Sequence, residues 1–464
     1  MTHDCTFLTD LDLADDQISF GTARREAHAT DWGTDEDDGT APDAVVWPES
    51  TADVSAVLAA AQDHDVPVTP YAAGTSLEGN PVPVEAGISL DVTRMDAVLD
   101  VRPDSFQVDV QPGLLGAEVN EAVSKHGLYF PPLPSSGDIS TVGGLIANDA
   151  SGMKTVKYGE IGDWILELEV VRPDGEVMTL GSKAAKTSSG YNLKDLVIGS
   201  EGTLGVVTRA TLELTGRPEQ IRGGRAIFES LDDASEAIFD AVRSGVDVAT
   251  IELIDTLSAR ISNNHLGTDL PDAPMVFVEF HANHSIENEI DFCRSIFADH
   301  DVERFEIADD EQEMTALWEA RKELAEAIDP FEPDLEQLTP GDVTVPIEQY
   351  PTMVQYIKDL ADEYDLLIPT FGHAGDGNIH YAILVDRDDP DSVARGKEAY
   401  TRVVDKAIEY GGTSTGEHGI GVGKRAYMVD EHGEATVETM RAVKRAFDPN
   451  GILNPGKIFP EDAD

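Results

Sequence analysis

The sequence predicts an α+β chain of two domains, and three observations predict it. A strand–helix–strand pattern runs from residue 44 to residue 70. Glycine-rich turns separated by strands then recur as far as residue 205. Between residues 225 and 307 the apolar pattern reads strand, helix, strand, strand, helix, strand, which is the order of a ferredoxin-like sheet. At 464 residues the chain is too long for a single hydrophobic core, so two domains, or one with a large insertion, are expected.

Ala44 to Trp47 reads as the first strand, Ser50-Thr-Ala-Asp53 as a capping box, and Val54 to His64 as an Ala-rich helix. Val66 to Pro70 is the next strand, and it runs into Tyr71-Ala-Ala-Gly-Thr-Ser-Leu-Glu-Gly-Asn80, where nothing can fill a core and the backbone must be exposed. Further loops of this kind are Pro134-Ser-Ser-Gly-Asp-Ile-Ser-Thr-Val-Gly-Gly144 and Gly199-Ser-Glu-Gly-Thr-Leu-Gly205. Between them lie the strand Trp164 to Val171 and a Pro-Asp-Gly hairpin turn at 173 to 175. One such loop is most often an ordinary surface turn. Three of them, rich in Gly, Ser and Thr, suggest one large anionic cofactor touched repeatedly by backbone N–H groups and hydroxyls.

Composition narrows the partners. With 89 Asp plus Glu against 33 Lys plus Arg, the formal net charge of −56 repels nucleic acid and anionic membrane surfaces. The acidic residues are spread along the chain, clustering only briefly as at Asp35-Glu36-Asp37-Asp38, so the surface is acidic throughout, as suits a salt-rich cytoplasm. Cys5 and Cys293 are the two cysteines, which argues against a disulfide framework, a zinc ribbon and an iron-sulfur cluster within the chain. No run approaches the ~20 apolar residues of a membrane span, so a cytoplasmic protein is expected, with at most a peripheral link to the inner face of a membrane.

Cofactor identity is narrowed by absence. No Gly-x-Gly-x-x-Gly follows a strand with an acidic residue some 20 positions on, which disfavours a Rossmann nicotinamide site. Gly419-Ile-Gly-Val-Gly-Lys424 fails as a Walker A loop, because His418 and Arg425 stand where a glycine and a Ser or Thr are required.

The pyrophosphate-type loop Gly74-Thr-Ser-Leu-Glu-Gly79, then Ser140-Thr-Val-Gly-Gly144 through Gly152, Glu201-Gly-Thr-Leu-Gly-Val206 and Asn454-Pro-Gly-Lys457 jointly resemble the FAD-linked oxidases of the vanillyl-alcohol oxidase superfamily. The resemblance runs from about residue 42 to Phe459, and the branch is that of D-lactate dehydrogenase and the glycolate oxidase FAD subunit. It implies a two-domain FAD-binding fold with a ferredoxin-like cap. Residues 1–220 and 425–464 would form the FAD domain and 221–424 the cap with its metal site. FAD contacts are expected at Pro70, Ala73, Gly74, Thr75, Ser76, Leu77, Gly79, Asn80, Pro134, Gly137, Ser140, Thr141, Gly143, Gly144, Asn148, Gly152, Glu201, Gly202, Gly205, Val206 and Asn454. Residues 71–80 hold neither His nor Cys, so the FAD is expected to be non-covalent.

His373-Ala-Gly-Asp-Gly-Asn-Ile-His380 sets two imidazoles around a tight turn leading into the strand Ile379 to Val385, and Thr415-Gly-Glu-His-Gly419 adds Glu417 and His418. Two such histidines most often satisfy loop hydrogen bonds, but three ligands with an open position also suit a catalytic metal. By the resemblance, His373, His380 and Glu417 bind a divalent metal, zinc, manganese or iron, and His418 is the base. An imidazole titrates at about 6.5 and suits that task. Arg321, in Leu317-Trp-Glu-Ala-Arg-Lys322, matches the family arginine that grips the substrate carboxylate; a solvated helix charge is the plainer reading.

The expected reaction is oxidation of a small D-2-hydroxy acid, D-lactate or glycolate, to the 2-oxo acid. Ala325, Pro340 and Ala382 stand where 2-hydroxyglutarate enzymes carry polar groups, which favours the smaller acids over a D-2-hydroxyglutarate substrate. Electrons would pass to a quinone, a cytochrome or an electron-transfer protein, which leaves room for a homodimer or an iron-sulfur partner subunit. From another class, Gly412-Thr-Ser-Thr-Gly416 matches the nucleophile elbow of a serine hydrolase, although the preceding residues 403 to 410 read as the end of an amphipathic helix. A third reading is a non-enzymatic ligand-binding or scaffold protein, which retention of all four metal and base residues disfavours.

Overall fold

The computed structural model describes residues 2–35, 38–308, 313–315, 318, 321, 323–328 and 330–460. Positions 36 and 37 of the acidic cluster, and positions 317, 319, 320 and 322 around Arg321, lie outside the described residues. The chain forms two compact units. One comprises Met1–Ser151, Glu160–Arg217 and Glu417–Asp464, and the other Gly152–Gly159 and Pro218–Gly416.

In the first unit a four-stranded sheet has the order β1 (Ile18–Ser19), β2 (Ala44–Val46), β4 (Ile88–Asp91), β3 (Val68–Tyr71), with β2, β4 and β3 parallel. The crossover from β2 to β3 is the helix Thr51–Asp63. Its capping box is formed: Ser50 Oγ accepts from the Asp53 N–H at 3.2 Å, and the Asp53 carboxylate accepts from the Ser50 N–H at 3.1 Å, a cap worth about 1 kcal/mol. Val54, Val57, Leu58 and Ala61 form the helical stripe that buries against the sheet strands in one apolar cluster.

A second, antiparallel sheet has the order β5 (Val98–Arg102), β6 (Gln107–Val110), β10 (Val206–Glu213), β8 (Ile165–Val171), β9 (Val177–Gly181). The turn between β8 and β9 closes with Arg172 N–H donating to Glu176 C=O at 2.9 Å. Gly175 is required there: its φ is +79°, and a Cβ would lie 2.7 Å from the Ser55 carbonyl oxygen. β7 (Leu128–Tyr129) and β11 (Thr215–Gly216) form a short ribbon.

The second unit is built on one antiparallel sheet, β15 (Val302–Ile307), β12 (Gln220–Phe228), β14 (Met275–Ala282), β13 (Thr250–Ile254), β17 (Thr370–His373), β18 (Asn378–Val385), β16 (Glu336–Thr344). Its first four strands have the ferredoxin-like order, with helices Leu231–Arg243 and Ile286–Phe297 as the crossovers. The structure adds the helix Thr256–Leu266 between β13 and β14, and three strands that widen the sheet beyond four. β16 is an edge strand, and its register with β18 shifts between Gln337 and Pro340, where an edge tolerates a residue that cannot donate to the ladder. Among the described residues no helix is long and apolar enough to cross a membrane.

Candidate active site and cofactor cleft

The first unit holds a cleft walled by loops that leave strand ends. Pro70, Ala73, Gly74, Thr75, Ser76, Leu77, Asn80, Pro134, Ser140, Thr141, Gly143, Gly144, Asn148, Glu201, Gly202, Gly205 and Val206 all line it, as do Glu417 and His418. Gly74 sits at φ +67°, and a Cβ there would come within 2.5 Å of the Tyr71 hydroxyl, so the loop after β3 closes only with glycine. Gly202, at φ +68°, lies against Pro70 in the same way.

Four expected contacts are placed otherwise. Gly79 donates its N–H to Asp31 at 2.8 Å, Gly137 closes the turn back to Pro134, and Gly152 belongs to the second unit. Asn454 is buried and donates to the carbonyls of Asn80 (3.1 Å) and Glu201 (2.7 Å), tying two cleft loops together.

Two carboxylates shape the cleft. Asp31, which carries no sequence signal in so acidic a chain, accepts from Ser76 Oγ (2.7 Å), the Gly79 N–H (2.8 Å) and Thr34 Oγ1 (2.6 Å), and so holds the glycine-rich loop. Glu201 accepts from the N–H groups of Ile420 (2.7 Å) and Gly421 (2.8 Å) and from Asn80 Nδ2 (2.7 Å). Burial pushes its carboxyl above the ordinary range, and those three donors pull against the shift. Asn148 Nδ2 donates to the Glu417 carbonyl at 2.5 Å, which fixes the chain entering His418.

The lining fits FAD. No Lys or Arg lines the cleft among the described residues, so an anionic pyrophosphate would meet N–H groups and hydroxyls such as Thr75 and Ser140, whose oxygens lie 3.0 Å apart. Val92, Pro112, Leu145, Val197 and Val207 supply apolar wall for a flat ring system.

The second unit carries a polar group on one face of its sheet. The turn Ala374–Asp376 brings His373 of β17 beside His380 of β18, with ring centroids 4.9 Å apart and planes at 89°. Glu252 on β13 is the register partner of His373 and is fully buried. It accepts from His373 Nδ1 (2.7 Å) and from Arg321 Nε (2.8 Å). Arg321 is itself buried, with its guanidinium carbon 5.0 Å from the Phe371 ring centroid, so it is not a solvated helix charge. Asp342 on β16, also fully buried, accepts from Asn378 Nδ2 (2.6 Å), Thr415 Oγ1 (2.9 Å) and the Gly416 N–H (2.7 Å). Sequence reasoning missed Glu252 and Asp342, whose significance appears only once the strands are paired.

A neutral imidazole bonded to a carboxylate through Nδ1 carries its proton there and its lone pair on Nε2, so His373 is prepared as a nitrogen ligand. His373 and His380 thus fit a divalent metal by donor type. Glu417 and His418 belong to the first unit, and the chain passes between units at the Gly416–Glu417 peptide bond. The elbow reading fails locally: Ser414 is fully buried and follows the helix Pro390–Glu409, with no strand before it and no helix directly after it. Pro340 and Ala382 are register partners on β16 and β18, whereas Ala325 is exposed on its short helix.

Residues 42–181 match the family described as FAD binding domain, and residues 217–458 match FAD linked oxidases, C-terminal domain. The chain is 36% identical over 427 residues to the glycolate oxidase subunit GlcD of Bacillus subtilis, covering 91% of this chain and 90% of that one. It is 34% identical over 449 residues to a probable mitochondrial D-lactate dehydrogenase of Danio rerio (96% and 89% covered). It is 34% identical over 420 residues to the mitochondrial D-lactate dehydrogenase (cytochrome) of Arabidopsis thaliana (90% and 74% covered). Among solved structures, p-cresol methylhydroxylase superposes with a TM-score of 0.78 at 16% identity (97% of this chain and 96% of that one). Alkyldihydroxyacetonephosphate synthase superposes with a TM-score of 0.75 at 21% identity (96% and 84%). The fold is therefore that of the vanillyl-alcohol-oxidase-type FAD-binding proteins.

Proposed function

The chain belongs to the FAD-linked oxidase family, and from that premise we propose that it oxidises a small D-2-hydroxy acid, D-lactate or glycolate, to the corresponding 2-oxo acid. The observation that carries the reading is the buried group of His373, His380, Glu252 and Arg321, which offers imidazole ligands and a guanidinium in a chain that also holds a glycine-lined cleft ending in Glu417 and His418. The reaction removes two electrons: the hydroxyl loses its proton, C2 loses a hydride, and the C–O bond becomes a carbonyl. The chemistry supplied by the bound groups would be a hydride acceptor, from FAD, and a lowered hydroxyl pKa, from a divalent metal.

The protein's own residues do the remainder. His418 takes the hydroxyl proton. Arg321, with Nε engaged by Glu252, orients the substrate carboxylate through the other side of its planar fork. His373, His380 and Glu417 would hold the metal, be it zinc, manganese or iron. Support for including Glu417 comes from Asp342, which holds Thr415 and Gly416 directly before it in the chain. The small apolar pair Pro340 and Ala382 supports a short substrate over 2-hydroxyglutarate. Electrons leave to a quinone, a cytochrome or a partner protein; the names of the relatives, a cytochrome-linked dehydrogenase and an oxidase subunit, support the last two.

The test is an anaerobic visible spectrum of protein purified in high salt, before and after D-lactate, L-lactate and glycolate are added separately. Bleaching of a flavin band by D-lactate or glycolate, but not by L-lactate, is the expected result. A colourless protein that takes up no added FAD would overturn the reading.

A further inference from the structure

Glu252 stands between the two groups that the proposed reaction asks to act on one substrate. Its carboxylate is fully buried on β13, one oxygen facing His373 Nδ1 at 2.7 Å and the other facing Arg321 Nε at 2.8 Å and Nη2 at 2.6 Å. The strand register sets Glu252, His373 and Phe371 against one another. Glu252 lies opposite His373, and Ile254, two residues on, lies opposite Phe371, the ring beneath the Arg321 guanidinium. We infer that Glu252 is the positioning residue of this site, a single carboxylate that fixes the ligand tautomer of His373 and the aim of Arg321 together.

The argument is one of donors and acceptors. Both neighbours present N–H groups to Glu252, so the position must hold two acceptor oxygens. That requirement sets the His373 proton on Nδ1 and its lone pair on Nε2. It also occupies one edge of the guanidinium, leaving the rest of the fork with a single orientation. A glutamine of the same shape has one acceptor. Turned to keep Arg321, it points an NH2 at His373 Nδ1 and drives the proton to Nε2, which removes the metal lone pair. Turned to keep His373, it sets an NH2 against the guanidinium. Either way one of the two functions is lost.

This inference rests on the proposed metal reading, and the experiment separates the two. FAD-loaded protein is stripped of metal with a chelator and titrated with zinc and with manganese by calorimetry, and KM for D-lactate is measured after reloading. The chains compared are wild type, Glu252→Gln, Glu252→Asp and, as a destabilised control, Phe297→Ala, whose ring is buried on the helix Ile286–Phe297 against Phe228 and Phe305. Expected are a fall in metal affinity of about 10- to 100-fold in Glu252→Gln with a raised KM, and partial recovery of both in Glu252→Asp. Flavin absorbance should be unchanged, and Phe297→Ala should have wild-type metal affinity despite its lower melting temperature. Glu252→Gln with wild-type affinity and KM would overturn the inference, as would an equal loss of metal in Phe297→Ala. A wild type that binds neither metal overturns the metal reading and this inference with it, while flavin bleaching by D-lactate would still uphold the oxidase reading.

Discussion

Replacing Asp342 by Asn tests whether the buried carboxylate on β16 holds the approach to the proposed base. Oδ1 accepts from Asn378 Nδ2 at 2.6 Å, and Oδ2 accepts from Thr415 Oγ1 at 2.9 Å and from the Gly416 N–H at 2.7 Å. An asparagine has one acceptor oxygen. Turned toward Thr415 and Gly416 it keeps two bonds and sets two NH2 groups face to face at Asn378; turned the other way it loses both bonds to the loop. Asn378 cannot relieve the clash by flipping its amide, because Nδ2 also donates to the Val343 carbonyl at 3.3 Å and to Thr344 Oγ1 at 3.2 Å. The better rotamer therefore loses one hydrogen bond to a charged acceptor, about 1.5–3 kcal/mol, against a total stability of about 5–15 kcal/mol, so the variant folds. Thr415 and Gly416 immediately precede Glu417 and His418, and a catalytic group displaced by about 1 Å loses roughly 100-fold in rate. The expected outcome is a lower midpoint of urea unfolding, a 10- to 100-fold lower kcat/KM for D-lactate, and an unchanged flavin spectrum. A variant with the wild-type midpoint and the wild-type kcat/KM would refute the reasoning.

Three further outcomes follow from the same structure. His418→Ala should retain FAD while flavin reduction by substrate, followed by stopped flow, slows by roughly two or more orders of magnitude; unchanged reduction removes His418 from the mechanism. Burial raises the Asp109 carboxyl, but Arg102, Lys183 and Thr211 outweigh burial and hold it well below the ordinary value. A depressed carboxyl contributes stability that is fully present above the unfolded value of 3.8 and is lost as pH falls through the folded value, so the stability gap between wild type and Asp109→Asn should begin to narrow at about pH 3.8 and go on narrowing as the pH is lowered further. A gap whose size does not change as the pH is lowered from about 3.8 contradicts the pairing. With a formal charge of −56, the melting temperature should rise steeply with potassium chloride, since added cations screen exposed self-repulsion; a flat dependence between dilute and molar salt refutes the expectation of a salt-adapted surface.

What could be read in the sequence, and what could not, divides along physical lines. Loops such as Gly74–Asn80 are legible because a run of Gly, Ser and Thr leaves no core to build, so exposed backbone is the remaining use for it. The ferredoxin-like strands are legible because alternation with period two and a helical stripe such as Ala234, Ala237, Ile238 and Ala241 are both local. The helix Thr256–Leu266 escaped because Ser258, Ser262, Asn263 and Asn264 blur its apolar face, and tertiary packing of Ala259 and Ile261 decides it. β16 escaped because Pro340 argues against a strand, and only its place at the sheet edge permits it. The segment Gly152–Gly159 joins the second unit through long-range pairs, Tyr158 Oη with His281 Nδ1 at 2.7 Å and Lys157 with Asp247, that nothing local announces.

The site divides in the same way, and the acidic composition explains why. Histidine is scarce here, with 12 in the chain, so two of them around a glycine-rich turn stand out, whereas any one of 89 carboxylates does not. Yet Asp31, Glu201, Glu252 and Asp342 are the groups that hold the loops and the His373 ring in place, each buried and each bonded to at least two donors. A buried carboxylate is tolerated only where donors surround it, so it organises whichever loops supply them. The same scarcity of cations bears on the cofactor cleft. With Lys and Arg absent from its described lining, a pyrophosphate must be held by N–H and hydroxyl dipoles, which are short-ranged and far less screened by salt than ion pairs. Anion binding through backbone geometry is therefore compatible with a surface so acidic that a cationic cradle would first attract the protein's own carboxylates.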